Sequence, residues 1–165
     1  MAIGSLVRIL IIRICSLFYF KNSSKVIFYH DIHSKKKYTN MSTAIELFAN
    51  HIQIIRESGY EVVPEITKEY GQIEICFDDA FLGLYENIGF LKQQNIPIHL
   101  FVISSYLERE NYINEKQLME LSKLDIIKIS SHTHTHKILN QLDENELLRE
   151  LKESKEILED LLNAP

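Results

Sequence analysis

Short runs of apolar residues alternate along this chain with longer segments in which apolar residues recur every three or four positions. The short runs are rich in β-branched and aromatic residues, predict buried strands, and lie at 25–30, 73–77, 98–105 and 125–131. The periodic segments predict helices at 42–59, at 83–95, at 115–123 and from Asp143 onwards. Strands that alternate with helices favour an α/β fold with a mainly parallel sheet.

Two of the predicted helices carry start and stop signals. Thr43 and Glu46 have the spacing of a capping box, and Gly59 follows the last apolar position of that helix. Asp143 and Glu146 repeat the spacing at the start of the last helix. The last helix is predicted to pack through a row of leucines: Leu147, Leu151, Leu158 and Leu161.

The N-terminal residues 3–20 form an apolar stretch that contains Arg8 and Arg13. Each arginine costs roughly 2.5–3.5 kcal/mol at the centre of a membrane-spanning helix, which disfavours a transmembrane segment. A removable secretion signal is only weakly supported. We therefore divide the chain into an apolar segment, 1–22, that lies on a membrane surface or packs on protein, and one domain, 23–165. The protein is expected to be membrane-associated or cytoplasmic.

The composition and charge of the chain limit the kinds of partner that it is expected to bind. The 165 residues are 45% hydrophobic and 25% charged, which is typical of a globular domain, and the formal net charge is −5. Apart from the short run 35–37, lysine and arginine are scattered, so we expect no nucleic acid partner. Cys15 and Cys76 lack the close spacing of a zinc or redox motif, so we expect neither a disulfide framework nor metal binding by a thiolate.

Two polar clusters follow predicted strands. Asp78 and Asp79 come directly after the strand at 73–77, and His132, His134 and His136 follow the strand at 125–131. The carboxyl ends of parallel strands lie at one edge of a sheet, so the two clusters can meet. In a tight or helical turn His132 and His136 would share one side, whereas in an extended segment all three histidines would.

Two imidazoles and one carboxylate are a common ligand set for a catalytic zinc ion, with positions left for water and substrate. A second carboxylate beside such an ion can accept a proton from water. The two clusters together therefore indicate hydrolysis of an ester or an amide. Each cluster also has an ordinary structural interpretation, because aspartate caps turns and surface histidines form hydrogen bonds.

Longer stretches resemble the NodB-type polysaccharide deacetylases, also called carbohydrate esterase family four. "CFDDA" at 76–80 resembles T-F-D-D-G, and "SHTHTHKIL" at 131–139 resembles S-H-T-x-T-H-P-x-L. "YENIGFLKQQNIPIHLFV" at 85–102 is similar to Y-x-N-x-x-x-x-L-K-x-x-x-I-P-A-T-F-F-V. "VIFYHDI" at 26–32 and the helix after the histidines also resemble that family, so the likeness covers roughly residues 25–163.

This resemblance implies a distorted, partial (β/α) barrel that removes N- or O-acetyl groups from a polysaccharide or its lipid-linked precursor. It implies that Asp78 is the general base and that Asp79, His132 and His136 bind one divalent ion, most simply zinc. His134 stands at a variable position of the motif and is not counted as a ligand. His30, after the first strand, is a weaker candidate for substrate binding. Phe81 and Tyr85 are better explained by core packing, and His99 by a packed or hydrogen-bonded position.

The chain departs from the family pattern in several places. Cys76 stands where the motif has threonine, Lys137 where it has proline, and Ala80 where it has glycine, which disfavours a positive φ at that position. No residue after His136 matches the later arginine, Asp/Trp and Leu-x-His motifs. We therefore expect the first half of a deacetylase barrel. The edge of its last strand and the apolar face of its final helix would be exposed, which favours association with itself or with a complementary chain.

These features lead to two principal hypotheses. The first is a metal-dependent deacetylase of an acetylated glycan. The alternative is a non-catalytic relative that binds metal and glycan but does not complete the reaction. A third interpretation, an amidohydrolase-like barrel, is disfavoured because its histidine pair usually follows the first strand.

Overall fold

The computed structural model describes residues 22–163, so the apolar segment 3–20 and the predicted boundary at residue 22 remain predictions. The strands, numbered β1 to β7, are Lys25–Tyr29, Asp31–His33, Ser42–Ala44, Glu61–Val63, Gln72–Phe77, Ile98–Val102 and Ile127–Ser131. The helices, numbered α1 to α5, are Ile45–Glu57, Leu82–Glu86, Ile88–Gln93, Glu115–Leu121 and Glu144–Leu162. Within 22–163, no helix has the length and apolar character needed to cross a membrane.

The main sheet is parallel and has the strand order β1-β5-β6-β7, with β4 paired to the start of β5. A separate parallel pair joins β2 to β3. The predicted α/β class and mainly parallel sheet are therefore confirmed. Within residues 22–163, β1 and β7 each pair along one side only, so this part of the chain does not close into a barrel.

The two faces of the main sheet differ in chemistry. On the outer face, alternate residues of β5 and β6 pack with the helices in a buried core, among them Ile75, Phe77 and Leu100. The opposite face, here called the inner face, carries the residues between them. Strand register places the following side chains on it: Val26, Phe28, Glu74, Cys76, His99, Phe101, Lys128 and Ser130. A hydrophobic core and an inner face of mixed polar and apolar side chains therefore lie on opposite sides of one sheet.

Two helix predictions were wrong in detail. Helix α1 begins after Ala44, which makes no side-chain cap, because residues 42–44 pair with β2 as strand β3. The predicted Thr43 capping box is therefore absent. The helix predicted at 83–95 is divided at Asn87, whose side-chain amide donates to the carbonyl oxygens of Gly83 and Ile32 at 2.8 and 3.3 Å.

The last helix begins as predicted, and its predicted leucine row is confirmed only in part. Asp143 and Glu146 form the capping box at its start. Of the predicted row, Leu158 is buried and Leu161 packs against the core, whereas Leu151 is 47% exposed. The buried face also contains Glu150 and Ser154, because it contacts β7 and the loop that follows it.

Candidate metal centre

The predicted polar clusters do come together at the carboxyl edge of the main sheet. Asp78 and Asp79 follow β5, and His132 follows β7. Strand β6 lies between β5 and β7. Neighbouring strands are roughly 4.8 Å apart, so side chains that meet across β6 must be carried towards each other by the turns at the strand ends.

The turn after β5 depends on left-handed backbone. Asp79 has φ of 70° and Ala80 has φ of 61°. The expectation that Ala80 avoids positive φ was therefore wrong. Its methyl group is buried at 2% exposure, and its carbonyl accepts from the Ile113 amide at 3.1 Å. These contacts hold the residue in a conformation that costs roughly 1–2 kcal/mol in alanine.

The histidine segment is a tight bend rather than a helix or an extended strand. Thr133 and His136 have φ of 67° and 60°. The Thr133 hydroxyl accepts from the His136 amide at 3.1 Å, and the Thr133 carbonyl accepts from the Ser104 amide at 3.2 Å. Because the bend folds back on itself, the rings of His132 and His136 lie with centroids 4.8 Å apart.

We call Asp79, His132 and His136 the Asp79 site. The Nε2 atoms of His132 and His136 lie 3.6 and 3.7 Å from Asp79 Oδ1. That oxygen is buried and has no hydrogen-bond partner. Ligands of a tetrahedral zinc ion are roughly 3.3–3.5 Å apart. The three donors therefore fit one divalent ion, and such an ion would satisfy an oxygen that is otherwise left without a partner.

His134 points away from the Asp79 site, as the motif position predicted. Its Nδ1 is 2.9 Å from the Ser104 hydroxyl, and its Nε2 is 3.6 Å from a carboxylate oxygen of Glu153. Of the three alternate histidines, the outer two face Asp79 and the middle one anchors the bend to neighbouring elements.

Asp78 lies beside the Asp79 site in a partly desolvated position. Desolvation raises the pKa of its carboxyl group, and electrostatic interaction with the imidazoles of His132 and His30 opposes the rise. Desolvation also lowers the pKa of His132, which favours the neutral imidazole that binds metal. His30 directly follows β1, and its predicted role in substrate binding remains a prediction.

Glu150 supports the histidine bend and was not identified from the sequence. This α5 residue is 2% exposed. Its carboxylate accepts from the amides of His134 and Thr135 at 3.1 and 2.7 Å and from the Thr135 hydroxyl. Desolvation raises the pKa of Glu150, but these hydrogen bonds outweigh it and hold the pKa below its usual range. The signal for this role in the sequence was the spacing of Glu150, Ser154 and Leu158, which lie four residues apart on one face of the helix.

The remaining candidates have structural contacts. Phe81 is 7% exposed and stacks on Tyr112 with ring centroids 4.6 Å apart. Tyr85 donates a hydrogen bond to Glu120 at 2.5 Å. His99 is 7% exposed and hydrogen-bonded through both ring nitrogens. These contacts are consistent with the prediction that the three residues have structural roles.

Comparison with known proteins identifies relatives over most of the chain. Residues 66–165 match the family model described as polysaccharide deacetylase. A putative polysaccharide deacetylase, YxkH of Bacillus subtilis (strain 168), is 23% identical over 149 residues. The match covers 84% of this chain and 52% of the relative, so the chain spans about half the length of that curated protein.

Solved structures share the fold. The Streptococcus pyogenes deacetylase PplD, solved in complex with acetate, has a TM-score of 0.73 and 21% identity, over 87% of this chain and 71% of PplD. A putative polysaccharide deacetylase of Bacillus anthracis has a TM-score of 0.72 and 22% identity, over 88% of this chain and 49% of the other. The arrangement of strands and helices around the Asp79 site is thus shared with deacetylase structures.

Proposed function

Because this chain belongs to the polysaccharide deacetylase family, we propose that it removes acetyl groups from an acetylated glycan in a metal-dependent hydrolysis. The bond attacked is an N-acetyl amide or an O-acetyl ester of a polysaccharide or its lipid-linked precursor. The observation that carries the metal dependence is Asp79 Oδ1, buried without a partner between two imidazole nitrogens. Zinc is the ion that this mixed nitrogen and oxygen set suits best.

The three ligands and Asp78 have separate roles. Asp79, His132 and His136 would hold the ion, which supplies a positive charge that polarises the acetyl carbonyl and acidifies water. Asp78 takes a proton from the water whose oxygen attacks the carbonyl carbon. Desolvation raises the pKa of Asp78, which makes its carboxylate a stronger base than an exposed aspartate. The bond between the acetyl carbon and the sugar nitrogen or oxygen then breaks, the proton held by Asp78 passes to the departing nitrogen or oxygen, and acetate is released.

Metal content of histidine variants tests the ligand set. The full chain, washed with a weak chelator, is analysed by elemental mass spectrometry. We expect His132→Ala and His136→Ala to lose one equivalent of metal, because each removes an imidazole that faces Asp79. His134→Ala is the matched control and should keep that equivalent, since its ring contacts Ser104 instead. Equal loss in all three variants would contradict the assignment.

Acetate release then tests the role of Asp78. Asp78→Asn keeps the size of the side chain but cannot accept the proton, so we expect metal content to be unchanged and acetate release to fall by about 10²–10⁴-fold. Normal turnover in Asp78→Asn would refute the general base. A wild-type chain that keeps its metal and binds glycan but releases no acetate would instead support the non-catalytic alternative.

We also propose that residues 3–20 hold the protein at a membrane surface. The support is compositional, since Arg8 and Arg13 lie within an apolar stretch and would reach lipid head groups. Flotation with anionic vesicles should recover the full chain, and Arg8→Glu with Arg13→Glu should reduce recovery. Equal recovery of both proteins would refute the electrostatic part of this proposal.

A further inference from the structure

A second group of metal-binding side chains lies on the inner face of the sheet. Glu74 and Cys76 are two residues apart on β5 and therefore point to the same side. His99 of β6 pairs in register with Cys76. We call these three residues the Cys76 cluster. Their ligand atoms all lie within 4.8 Å of one another.

The donors converge on one carboxylate oxygen. Glu74 Oε1 is 2.7 Å from His99 Nδ1 and 3.6 Å from Cys76 Sγ. The other oxygen, Oε2, accepts from the Ile66 amide at 3.2 Å, so that bond orients the carboxylate and leaves Oε1 for the cluster. Zinc bonds of roughly 2.3 Å to sulfur and 2.1 Å to oxygen place those ligands roughly 3.6 Å apart. The contact between His99 and Glu74 must widen by roughly 0.7 Å to admit an ion.

Burial and charge also suit a divalent ion. Cys76 is 1% exposed, and the His99 and Glu74 side chains are 8% and 12% exposed. A thiolate, a carboxylate and a neutral imidazole carry two negative charges, which balance a divalent cation. The other ring nitrogen of His99 is 2.7 Å from the Ser130 hydroxyl. That contact fixes the ring in the way that a hydrogen-bonded neighbour commonly orients a metal-binding histidine.

Without an ion the thiol is protonated. Desolvation and the charge of Glu74 raise the pKa of Cys76 to about 12. Metal binding would release this proton to solvent, since the thiolate is the ligand.

The Cys76 cluster is a feature of this chain and is not present in the family motifs that the chain resembles. In those motifs threonine stands at the positions of both Cys76 and His99. The two replacements face each other in register across β5 and β6. They supply the sulfur and the nitrogen that a threonine pair lacks.

We propose that Glu74, Cys76 and His99 form a second metal site, distinct from the Asp79 site, for zinc or another thiophilic divalent ion. Thiolate ligation selects such ions over magnesium and calcium. Since Glu74 and Cys76 are on β5 and His99 is on β6, the ion would tie these two strands together below the edge that carries Asp79.

Cobalt(II) is the probe, because cobalt bound to a thiolate gives a charge-transfer band in the near ultraviolet and the Asp79 site contains no sulfur. The full chain, stripped of metal, is titrated with cobalt, and we expect the band to appear. Cys76→Thr installs the residue of the resembled motif, should fold, and should abolish the band. Cys15→Ser, at the only other cysteine of the sequence, is the matched control and should keep it.

The same titration separates this proposal from the proposed function. His132→Ala should keep the near-ultraviolet band while losing one equivalent of cobalt, because it affects only the Asp79 site. Absence of the band in the wild-type chain would overturn the second site, and so would a band that survives Cys76→Thr. Failure of the Asp79 site would appear separately, as cobalt content that does not change in His132→Ala.

Discussion

At the scale of single residues, the shape of the Asp79 site depends on hydrogen bonds from a helix that supplies no ligand. The bend between His132 and His136 contains a β-branched residue, Thr133, at φ of 67°. Such a conformation persists only where surrounding contacts determine it. Glu150 provides three of these contacts from α5.

We predict that Glu150→Ala lowers zinc affinity at the Asp79 site by about 10- to 100-fold, the usual effect of losing a group that orients ligands. The variant leaves the amides of His134 and Thr135 without their acceptor, so the bend no longer holds the two imidazoles together. Competition with a chromophoric chelator measures the affinity. Glu156→Ala, at an exposed position of the same helix, is the control. Equal affinity in the two variants would show that the bend needs no support from Glu150.

Asp31 is a buried residue whose protonation should affect stability. It is fully buried, and neither carboxylate oxygen has a hydrogen bond of good geometry. Desolvation raises its pKa to about 6, while the hydroxyl of Ser42 and nearby amides oppose the rise. The folded state thus holds the proton more tightly than the unfolded chain, whose pKa is about 3.9. The stabilising contribution of neutral Asp31 is complete below about pH 4 and is lost as pH rises through about 6.

We predict that Asp31→Asn removes this loss, because asparagine cannot ionise. Between about pH 4 and pH 7 the free energy of unfolding of the variant should gain about 2 kcal/mol relative to wild type. Urea unfolding of the metal-free proteins at several pH values measures the difference. Parallel stability curves for the two proteins would mean that Asp31 is not protonated in the folded state.

At the scale of elements, helix α2 packs unusually closely on β2. A Cβ atom on Gly83 would lie within 2.5 Å of the Ile32 carbonyl oxygen and would also overlap the Asp31 carboxylate. The carbonyl belongs to the backbone and cannot move without shifting β2. The absence of a side chain at Gly83 is therefore what allows the helix to follow the Asp78 and Asp79 turn so closely.

We predict that Gly83→Ala lowers the free energy of unfolding by about 1–3 kcal/mol, the typical effect of overpacking. Gly89→Ala is the matched control in α3, where an added Cβ meets nothing within 4 Å. Its stability should be unchanged or raised by up to about 1 kcal/mol, because alanine favours helix. Thermal or urea unfolding measures the stability of both variants. If the two variants had the same stability, close packing on β2 would not be the reason for a glycine at position 83.

The elements show which parts of the fold a sequence can predict. Strands β1, β5, β6 and β7 were predicted because each is an apolar run flanked by turn residues. The three-residue strands β2 to β4 were missed, since so few residues carry no periodic signal. In α5 the burial of Leu158 was predicted correctly, whereas that of Leu151 was not, because apolar spacing does not reveal that a buried face can be polar. Glu150 lies on that face because its partners are backbone amides, which no sequence pattern identifies.

The Asp79 site was more predictable than the elements around it. Asp79 and His132 follow two parallel strands, and the sheet brings their ends to one edge. The positive φ of Ala80 was not predictable, because it depends on the burial of its methyl group and on the bond from Ile113. Sequence patterns predict which strand ends lie together, whereas tertiary contacts determine where a turn adopts a strained backbone conformation.

At the scale of the whole molecule, the inner face exposes apolar side chains along an edge strand. Val26 and Phe28 of β1 are 42% and 60% exposed. Within residues 22–163, β1 pairs with β5 along one side and has no partner strand along the other. An exposed apolar edge strand is a common site of association between chains. The sequence predicted association through the edge of the last strand, whereas these exposed side chains favour the edge of β1.

We predict that Phe28→Asp weakens self-association of the full chain by roughly 10- to 100-fold, because burial of a phenylalanine contributes about 1.5–3 kcal/mol. Sedimentation equilibrium over a range of concentrations measures the dissociation constant. Leu148→Asp is the control, since Leu148 is 62% exposed on α5, away from the edge strand. If the two variants associated equally, or if wild type stayed monomeric at high concentration, the β1 edge would not be an interface. A selective effect of Phe28→Asp would show that the open edge of the sheet is where a second chain binds.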